Sequence, residues 1–176
     1  ARRLAAISAN EATTLHNVLF SDDTRVFLQA LIDLGFDVEI DEAKARVTII
    51  GAEGEIPVAA EEDMKRMASL ENPLASIYVG SAGTAARFLT AYLGLSQGYY
   101  RIDASPQMRK RPMKELLVAL EEIGARIRFE GEAYHFPFVI GCPAWTVQQV
   151  QVDIDKSSQY LSALLISAVI SKRDFE

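Results

Sequence analysis

The sequence predicts an α/β fold made of repeated β-α-β-α-β-β units, and three observations support that prediction. Hydrophobic residues make up 49% of the 176 residues, which is enough to form a packed core. Apolar residues recur with helical spacing in some segments and alternate with polar residues in others. Two segments also repeat each other, because FLQALIDLGFDVEI at 27–40 aligns with LLVALEEIGARIRF at 116–129. Such long-range similarity indicates one supersecondary unit used more than once.

Each copy of this repeat predicts a helix, a glycine that ends the helix, and then an alternating strand. Gly35 and Gly124 stand at equivalent positions, directly after the apolar pattern of each helix. A second strand is predicted in each copy, from ARVTIIG at 45–51 and HFPFVIG at 135–141. The two copies therefore predict the same helix-strand-strand order.

A fainter repeat precedes each of these copies and completes the unit. The segments ARRLAAIS (1–8), ARFLTAYL (86–93) and SQYLSALL (158–165) share one helical pattern. Short strands are predicted after the first two, from TTLHNV at 13–18 and YYRIDA at 99–104. With the apolar SIYV strand ahead of the second helix, the full unit is strand, helix, strand, helix, strand, strand.

These repeats predict the domain organisation. We predict a single domain over 1–176, with one unit at about 1–75, a second at about 76–150 and the start of a third at about 151–176. The first unit lacks its opening strand, and the third breaks off in or just after its first helix. We therefore expect a domain that is truncated at both ends.

Composition and charge narrow the function classes. The net charge is −6, which disfavours general nucleic-acid binding. No apolar run is long enough to predict a membrane span, and no signal peptide is recognisable at the start. With Cys142 as the only cysteine, no internal disulfide is possible, which suits a cytoplasmic protein. An anionic ligand would need a local basic cluster, and Arg109, Lys110 and Arg111 form one.

The stretch GSAGTAARFL at 80–89 combines glycines and hydroxyl residues just before a predicted helix. Glycines let the backbone approach a ligand, and a helix start presents unpaired N–H groups with a partial positive charge. This combination is typical of phosphate or carboxylate sites. A plain strand–helix turn that binds nothing has the same pattern, so the motif alone leaves both interpretations open.

Three motifs in order identify a family resemblance. GSAGTAARFLTAYL at 80–93, PQMRKRPMKELLVALEEIGA at 106–125 and SSQYLSALLISA at 157–168 together resemble the 5-enolpyruvylshikimate-3-phosphate (EPSP) synthase family. The resemblance implies an enolpyruvyl transferase-like fold, an inside-out α/β barrel with three β-α-β-α-β-β units in each of two domains. This chain would cover most of the first-half domain of such a two-domain enzyme.

The resemblance also implies an activity. Members of the family are transferases that join the enolpyruvyl group of phosphoenolpyruvate to the 5-hydroxyl of shikimate 3-phosphate and release phosphate, in aromatic amino acid biosynthesis. The family needs no metal and no organic cofactor, and the resemblance implies a monomeric, cytoplasmic enzyme. Without the second domain, we expect this chain alone to be inactive.

Matching motif positions carry the binding residues over to this sequence. The resemblance implies phosphoenolpyruvate contacts from five residues: Gly83, Thr84, Arg87, Arg111 and Gln159. It implies that the 3-phosphate of shikimate 3-phosphate is held by Ser157, Ser158 and Gln159. Ser81, Phe88 and Gln107 depart from the family pattern, where asparagine, proline and arginine are frequent. No catalytic acid or base is identifiable in this chain.

Simpler structural roles remain open for several of these residues. Gly83 also fits a packing glycine, Arg87 a structural ion pair, and the paired serines an ordinary helix cap. Arg109 and Lys110 are interpreted as a solvated face that attracts anions at long range. Asp22 and Asp23 are interpreted as caps of the helix from Thr24 onward rather than metal ligands. Cys142 is interpreted as structural, and His16 and His135 have no paired acid.

Two alternative functions also remain. A UDP-N-acetylglucosamine 1-carboxyvinyltransferase would share the fold, although the SSQY and RP motifs argue against it. A non-catalytic repeat domain that only binds small anions is an alternative from a different class of protein.

Overall fold

A computed structural model of the chain describes residues 7, 9, 11–144, 149–151 and 158–170. Within those residues the chain forms seven strands and six α-helices, with a short 3-10 turn at Pro57–Ala59. The strands are β1 (Ala12–Leu15), β2 (Val38–Asp41), β3 (Arg46–Ile50), β4 (Ala75–Tyr78), β5 (Tyr100–Asp103), β6 (Arg126–Phe129) and β7 (Phe138–Gly141). The helices are α1 (Asp22–Asp33), α2 (Glu62–Met67), α3 (Gly83–Gly94), α4 (Pro106–Arg109), α5 (Lys114–Ile123) and α6 (Gln159–Ile170).

The strands form two sheets with related topology. The first sheet has the order β1-β3-β2, and both of its pairs are antiparallel. The second has the order β4-β5-β7-β6, in which β4 and β5 are parallel and the other two pairs are antiparallel. The order β1-β3-β2 therefore matches β5-β7-β6 strand for strand. This confirms the predicted α/β class with repeated units.

The ends of α1 and α5 follow from capping and backbone geometry. Gly35 and Gly124 have φ angles of 88° and 125°, which favour glycine and stop each helix, as the repeat predicts. At the start of α1 the side chain of Ser21 accepts the hydrogen bond from the Thr24 backbone. Asp22 and Asp23 lie inside the first turn. They were predicted as caps before Thr24, but the helix begins earlier and Ser21 is the cap.

Helix α2 forms in the segment EEDMKRMASL, and Glu61 precedes it without making a side-chain capping bond. Two other helices are predicted from the sequence. The helix predicted from ARRLAAIS lies largely outside the described residues. The helix predicted from the SQYLSALL segment is confirmed as part of α6.

One hydrophobic core joins the two sheets. Helix α3 lies at its centre, because nine of its twelve residues are buried, and it packs along α6. Leu28 and Leu31 of α1 belong to the same core as Leu89 of α3. With so much of its length buried, α3 holds its N-terminal end, where the glycine-rich turn lies, at a fixed place in the fold. In the part of the chain that the structure describes, no helix is long and apolar enough to cross a membrane.

Tyr92 gives the core a polar contact that can be tested. Its side chain is fully buried, and its hydroxyl donates to the carbonyls of Gly54 and Glu55 at 3.0 and 3.2 Å. Burial raises the pKa of Tyr92 well above its usual range, so the hydroxyl keeps its proton and remains a donor.

We expect Tyr92→Phe to lower the free energy of unfolding by about 1–2 kcal/mol, because the part-buried hydrogen bonds to the Gly54 and Glu55 carbonyls are lost. Urea denaturation followed by circular dichroism measures the change. Tyr78→Phe is the control, because the Tyr78 side chain is 50% exposed. Equal stability of Tyr92→Phe and the unsubstituted protein would contradict this role of the hydroxyl.

Candidate functional site

The glycine-rich turn at 80–83 follows β4, and the basic loop, which carries Arg109, Lys110 and Arg111, follows β5. The two segments meet at the carboxyl ends of these strands in the second sheet. Because β4 and β5 run parallel, the segments that follow them leave the sheet at the same edge. Two hydrogen bonds join these segments directly. The Ser105 amide donates to the Gly80 carbonyl at 3.0 Å, and the hydroxyls of Ser81 and Ser105 lie 2.7 Å apart. Ser105 also caps α4 by accepting from the Met108 amide.

Two guanidinium groups converge on Gly83, the first residue of α3. A Cβ atom placed on Gly83 would lie 2.7 Å from Nη1 of Arg87 and 3.4 Å from Nη1 of Arg111. Arg87 Nη1 donates to the Gly83 carbonyl at 3.2 Å. The absence of a side chain on Gly83 therefore leaves the space beside both positive charges open.

The start of α6 completes this group of residues. Arg87 Nη1 donates to Oε1 of Gln159 at 2.9 Å, and Gln159 Nε2 lies 3.5 Å from Oγ1 of Thr84. The ring of Tyr160 lies 5.3 Å from Cζ of Arg87, in the position for a cation–π contact. The structure thus brings together all five residues predicted to contact phosphoenolpyruvate: Gly83, Thr84, Arg87, Arg111 and Gln159.

The charge of this cluster is uncompensated within the described part of the chain. None of the ion pairs formed by the described residues involves Arg87 or Arg111. The Nε atom of Arg87 is buried and has no hydrogen-bond partner in the described part of the chain. The structural ion pair considered for Arg87 is therefore not seen among the described residues. Two adjacent cations with no carboxylate partner among the described residues favour an anionic ligand.

The residues predicted to hold the 3-phosphate are only partly described. Ser158 is exposed in the turn before α6, and its carbonyl accepts from the amide and the hydroxyl of Ser162 at 3.2 and 3.1 Å. Gln159 opens the helix. Ser157 lies outside the described residues.

Arg109 has a different role from the one predicted. Its guanidinium forms two contacts with the carboxylate of Asp103, at 2.8 and 3.0 Å. Arg101 lies 3.4 Å from the same carboxylate. Arg109 is half-exposed, but its charge is offset by a carboxylate, so it anchors α4 to the end of β5 instead of forming a solvated attracting face. Lys110 is exposed, as a solvated lysine should be.

A cleft of about 390 Å³ opens beside the cluster, between the end of β1, the start of α1 and the start of α3. His16 and Asn17 line it from the segment after β1, Asp23 from α1, and Thr84 and Phe88 from α3. Sequence reasoning treated His16 as isolated and Asp23 as a cap. The repeat contained the missing signal, because β1 is the counterpart of β5 and the segment after it is the counterpart of the basic loop.

Among the described residues, no group of three or more histidine, cysteine, aspartate and glutamate side chains is arranged to hold a metal ion. Cys142 is buried, with 2% of its surface exposed. The cluster at Gly83 is built from guanidinium, amide and hydroxyl groups, and these are donors suited to carboxylate and phosphate oxygens.

Comparison with known proteins gives one family. A family model described as EPSP synthase (3-phosphoshikimate 1-carboxyvinyltransferase) matches residues 3–176. The 3-phosphoshikimate 1-carboxyvinyltransferase of Trichormus variabilis is 34% identical over 171 residues, which are 97% of this chain and 37% of that protein. The protein of the same name from Bordetella petrii is 41% identical over 171 residues, which are 95% of this chain and 34% of that protein.

A solved structure of EPSP synthase from Acinetobacter baumannii superimposes with a TM-score of 0.74 at 25% sequence identity. The superposition covers 95% of this chain and 35% of that one. The chain therefore spans little more than a third of the length of the relatives that it matches.

Proposed function

Because the chain belongs to the EPSP synthase family, we propose that it supplies one wall of the site in which phosphoenolpyruvate reacts with shikimate 3-phosphate. The reaction is the transfer of the enolpyruvyl group to the 5-hydroxyl with release of phosphate. The whole enzyme would be a transferase, a 3-phosphoshikimate 1-carboxyvinyltransferase, and this chain would provide part of its binding surface. The observation that carries the proposal is the convergence on Gly83 of two guanidinium groups that form no ion pair within the described residues.

Phosphoenolpyruvate fits the chemistry of this cluster. It carries a carboxylate and a phosphate, and a planar guanidinium can donate two parallel hydrogen bonds to either group. Arg87 and Arg111 approach the open space at Gly83 from different segments, so one multiply charged anion can contact both. Thr84 adds a hydroxyl on the first turn of α3, where the helix start favours negative charge.

Shikimate 3-phosphate is proposed to bind at the start of α6. The unpaired N–H groups at the start of this twelve-residue helix favour an anion, and Ser157 and Ser158 would add hydroxyl donors to its phosphate. Gln159 contacts both Thr84 and Arg87. Its side chain therefore lies between the two proposed subsites, where it can orient the substrates relative to one another.

The donors of this wall would stabilise charge during the reaction. The methylene carbon of phosphoenolpyruvate takes up a proton, and the 5-hydroxyl oxygen adds to C2 as it loses its own proton. Phosphate then leaves from C2 while the new methyl carbon gives up a proton, which restores the double bond of the enolpyruvyl group. Arg87 and Arg111 would hold the carboxylate in place and stabilise the negative charge that builds on the departing phosphate. We assign no acid or base to the described residues and no metal or organic cofactor to the reaction.

The proposal also covers the location, the oligomeric state and the partners of the enzyme. We propose a cytoplasmic, monomeric protein whose partners are its two small-molecule substrates rather than nucleic acid or a membrane. A single cysteine in 176 residues and a net charge of −6 support this setting.

Ligand choice tests the proposed function. We expect shikimate 3-phosphate at millimolar concentration to shift the amide resonances of Ser158 and Gln159 in ¹⁵N–¹H spectra, because its phosphate contacts the start of α6. UDP-N-acetylglucosamine should leave these resonances in place.

Inorganic phosphate at equal concentration is the control for simple anion binding and should give smaller shifts. A response to UDP-N-acetylglucosamine alone would replace this function with that of the related carboxyvinyltransferase. Equal responses to shikimate 3-phosphate and inorganic phosphate would instead identify a non-catalytic anion-binding domain.

A further inference from the structure

Tyr160 makes two contacts that join the segments carrying the arginines. Its side chain is buried, with 3% of its surface exposed, at the second position of α6. One contact is the ring face beneath the guanidinium of Arg87, 5.3 Å from Cζ to the ring centroid. The other is the hydroxyl, which donates to the carbonyl of Pro112 at 3.2 Å.

The hydroxyl bond lies between two backbone hydrogen bonds of the basic loop. Arg111 donates its own amide to the Met108 carbonyl, and Met113 donates to the Tyr134 carbonyl on the far side. Pro112 lies between them and has no N–H to donate. The bond from Tyr160 to the Pro112 carbonyl therefore fixes the backbone directly after Arg111.

The ring contact opposes a repulsion within the site. Arg87 and Arg111 carry like charges close to the same point beside Gly83, and no described carboxylate pairs with either. The negative face of an aromatic ring attracts a guanidinium without neutralising it. An acidic residue in the same place would also hold Arg87, but it would compete with an anionic ligand.

We propose that Tyr160 is a positioning residue that holds Arg87 through its ring and Arg111 through its hydroxyl, so that both cations face one anion. The two contacts of Tyr160 are observed in the structure, whereas the identity of the anion as phosphoenolpyruvate rests on the proposed function. Tyr160 touches no substrate in this arrangement and acts through the two arginines.

Two substitutions separate the contacts. Tyr160→Phe keeps the ring and removes only the bond to Pro112, and Tyr160→Leu removes both. Tyr100→Phe is a matched control, because Tyr100 is also fully buried and its hydroxyl donates to a loop carbonyl, that of Gln97, at 2.6 Å. Tyr100 lies at the start of β5, at the opposite end of the strand from the basic loop.

The experiment uses arginine side-chain Nε–Hε spectra of the 176-residue chain, recorded without ligand and then titrated with phosphoenolpyruvate. Without ligand, Tyr160→Leu should move the Arg87 signal by loss of the ring-current shift, and Tyr160→Phe should retain it while changing the Arg111 signal. We expect Tyr160→Phe to weaken phosphoenolpyruvate binding about two- to tenfold, the range for one lost neutral hydrogen bond. Tyr160→Leu should weaken binding further, and Tyr100→Phe should have no effect on either readout.

An unchanged Arg87 signal in Tyr160→Leu, or an unchanged Arg111 signal in Tyr160→Phe, would overturn the positioning role. So would equal loss of binding in Tyr160→Phe and Tyr100→Phe, since that points to general stability. If the unsubstituted chain fails to bind phosphoenolpyruvate, the ligand assignment fails, and the ligand-free arginine signals still decide the role of Tyr160.

Discussion

Supplied with phosphoenolpyruvate and shikimate 3-phosphate, the 176-residue chain should release phosphate no faster than a protein-free solution does. The chain covers 37% of the length of its Trichormus variabilis relative and provides only one wall of the proposed site. Arg111 and Thr84 are exposed on that wall. A pair of unit charges 4 Å apart interacts with about 1 kcal/mol in water and about 4 kcal/mol near a protein surface. The open wall can therefore bind its anions only weakly.

A continuous phosphate-release assay on the purified chain measures this expectation. Circular dichroism and urea denaturation of the same sample establish that the protein is folded. Adding the remaining segments of a relative as a separate chain is the informative second arm, because docking of the two parts should restore part of the activity. Steady turnover by the chain alone at about 1 per second or more would refute the one-wall arrangement.

Gly83→Ala should lower the affinity for phosphoenolpyruvate about tenfold or more, a loss of at least about 1.4 kcal/mol in binding free energy. The new methyl group would lie 2.7 Å from Arg87 Nη1 and 3.4 Å from Arg111 Nη1, in the space proposed for the anion. The atoms in the way are the ends of flexible side chains, and Gly83 opens a helix without a positive φ angle. We therefore expect the free energy of unfolding to change by less than about 1 kcal/mol, since alanine is a good helix former.

Titration by nuclear magnetic resonance or calorimetry measures the affinity, and urea denaturation measures the stability. Gly131→Ala is the matched control, because a Cβ there meets no atom within 4 Å. Arg111→Lys gives a comparison of another kind, since it keeps the charge and loses the planar fork. Unchanged binding in Gly83→Ala would remove Gly83 from the site, whereas a large loss of stability would mean that its role is packing.

Much of the fold was predictable because periodicity and glycine stops report local structure. Helix α3 and the two-strand endings of both units lie where the patterns place them, and the enolpyruvyl transferase-like fold class implied by the three motifs is confirmed. The boundaries predicted for the units stay predictions. Strand pairing was harder to predict from the sequence, because the parallel register of β4 and β5 depends on segments that are distant in sequence.

The site was predictable where a motif names a residue and less so where tertiary contacts decide its role. Gly83 and Arg111 were identified through the family resemblance, and the structure places them together. The pairing of Arg109 with Asp103 was missed because it depends on how α4 folds back onto the end of β5. The two contacts of Tyr160 were missed for the same reason, since they join three separate segments.

The hydrogen bond between Ser81 and Ser105 links two loops whose serines lie 24 positions apart in the sequence. The hydroxyls lie 2.7 Å apart, and each hydroxyl can act as donor or acceptor. A longer side chain at Ser81, such as the asparagine frequent in the family, would need a different partner at 105. The side chains at the two positions depend on one another, so we expect substitutions at 81 and 105 to occur together in relatives of this chain. Covariation of positions 81 and 105 across the family would therefore be the evolutionary trace of this contact.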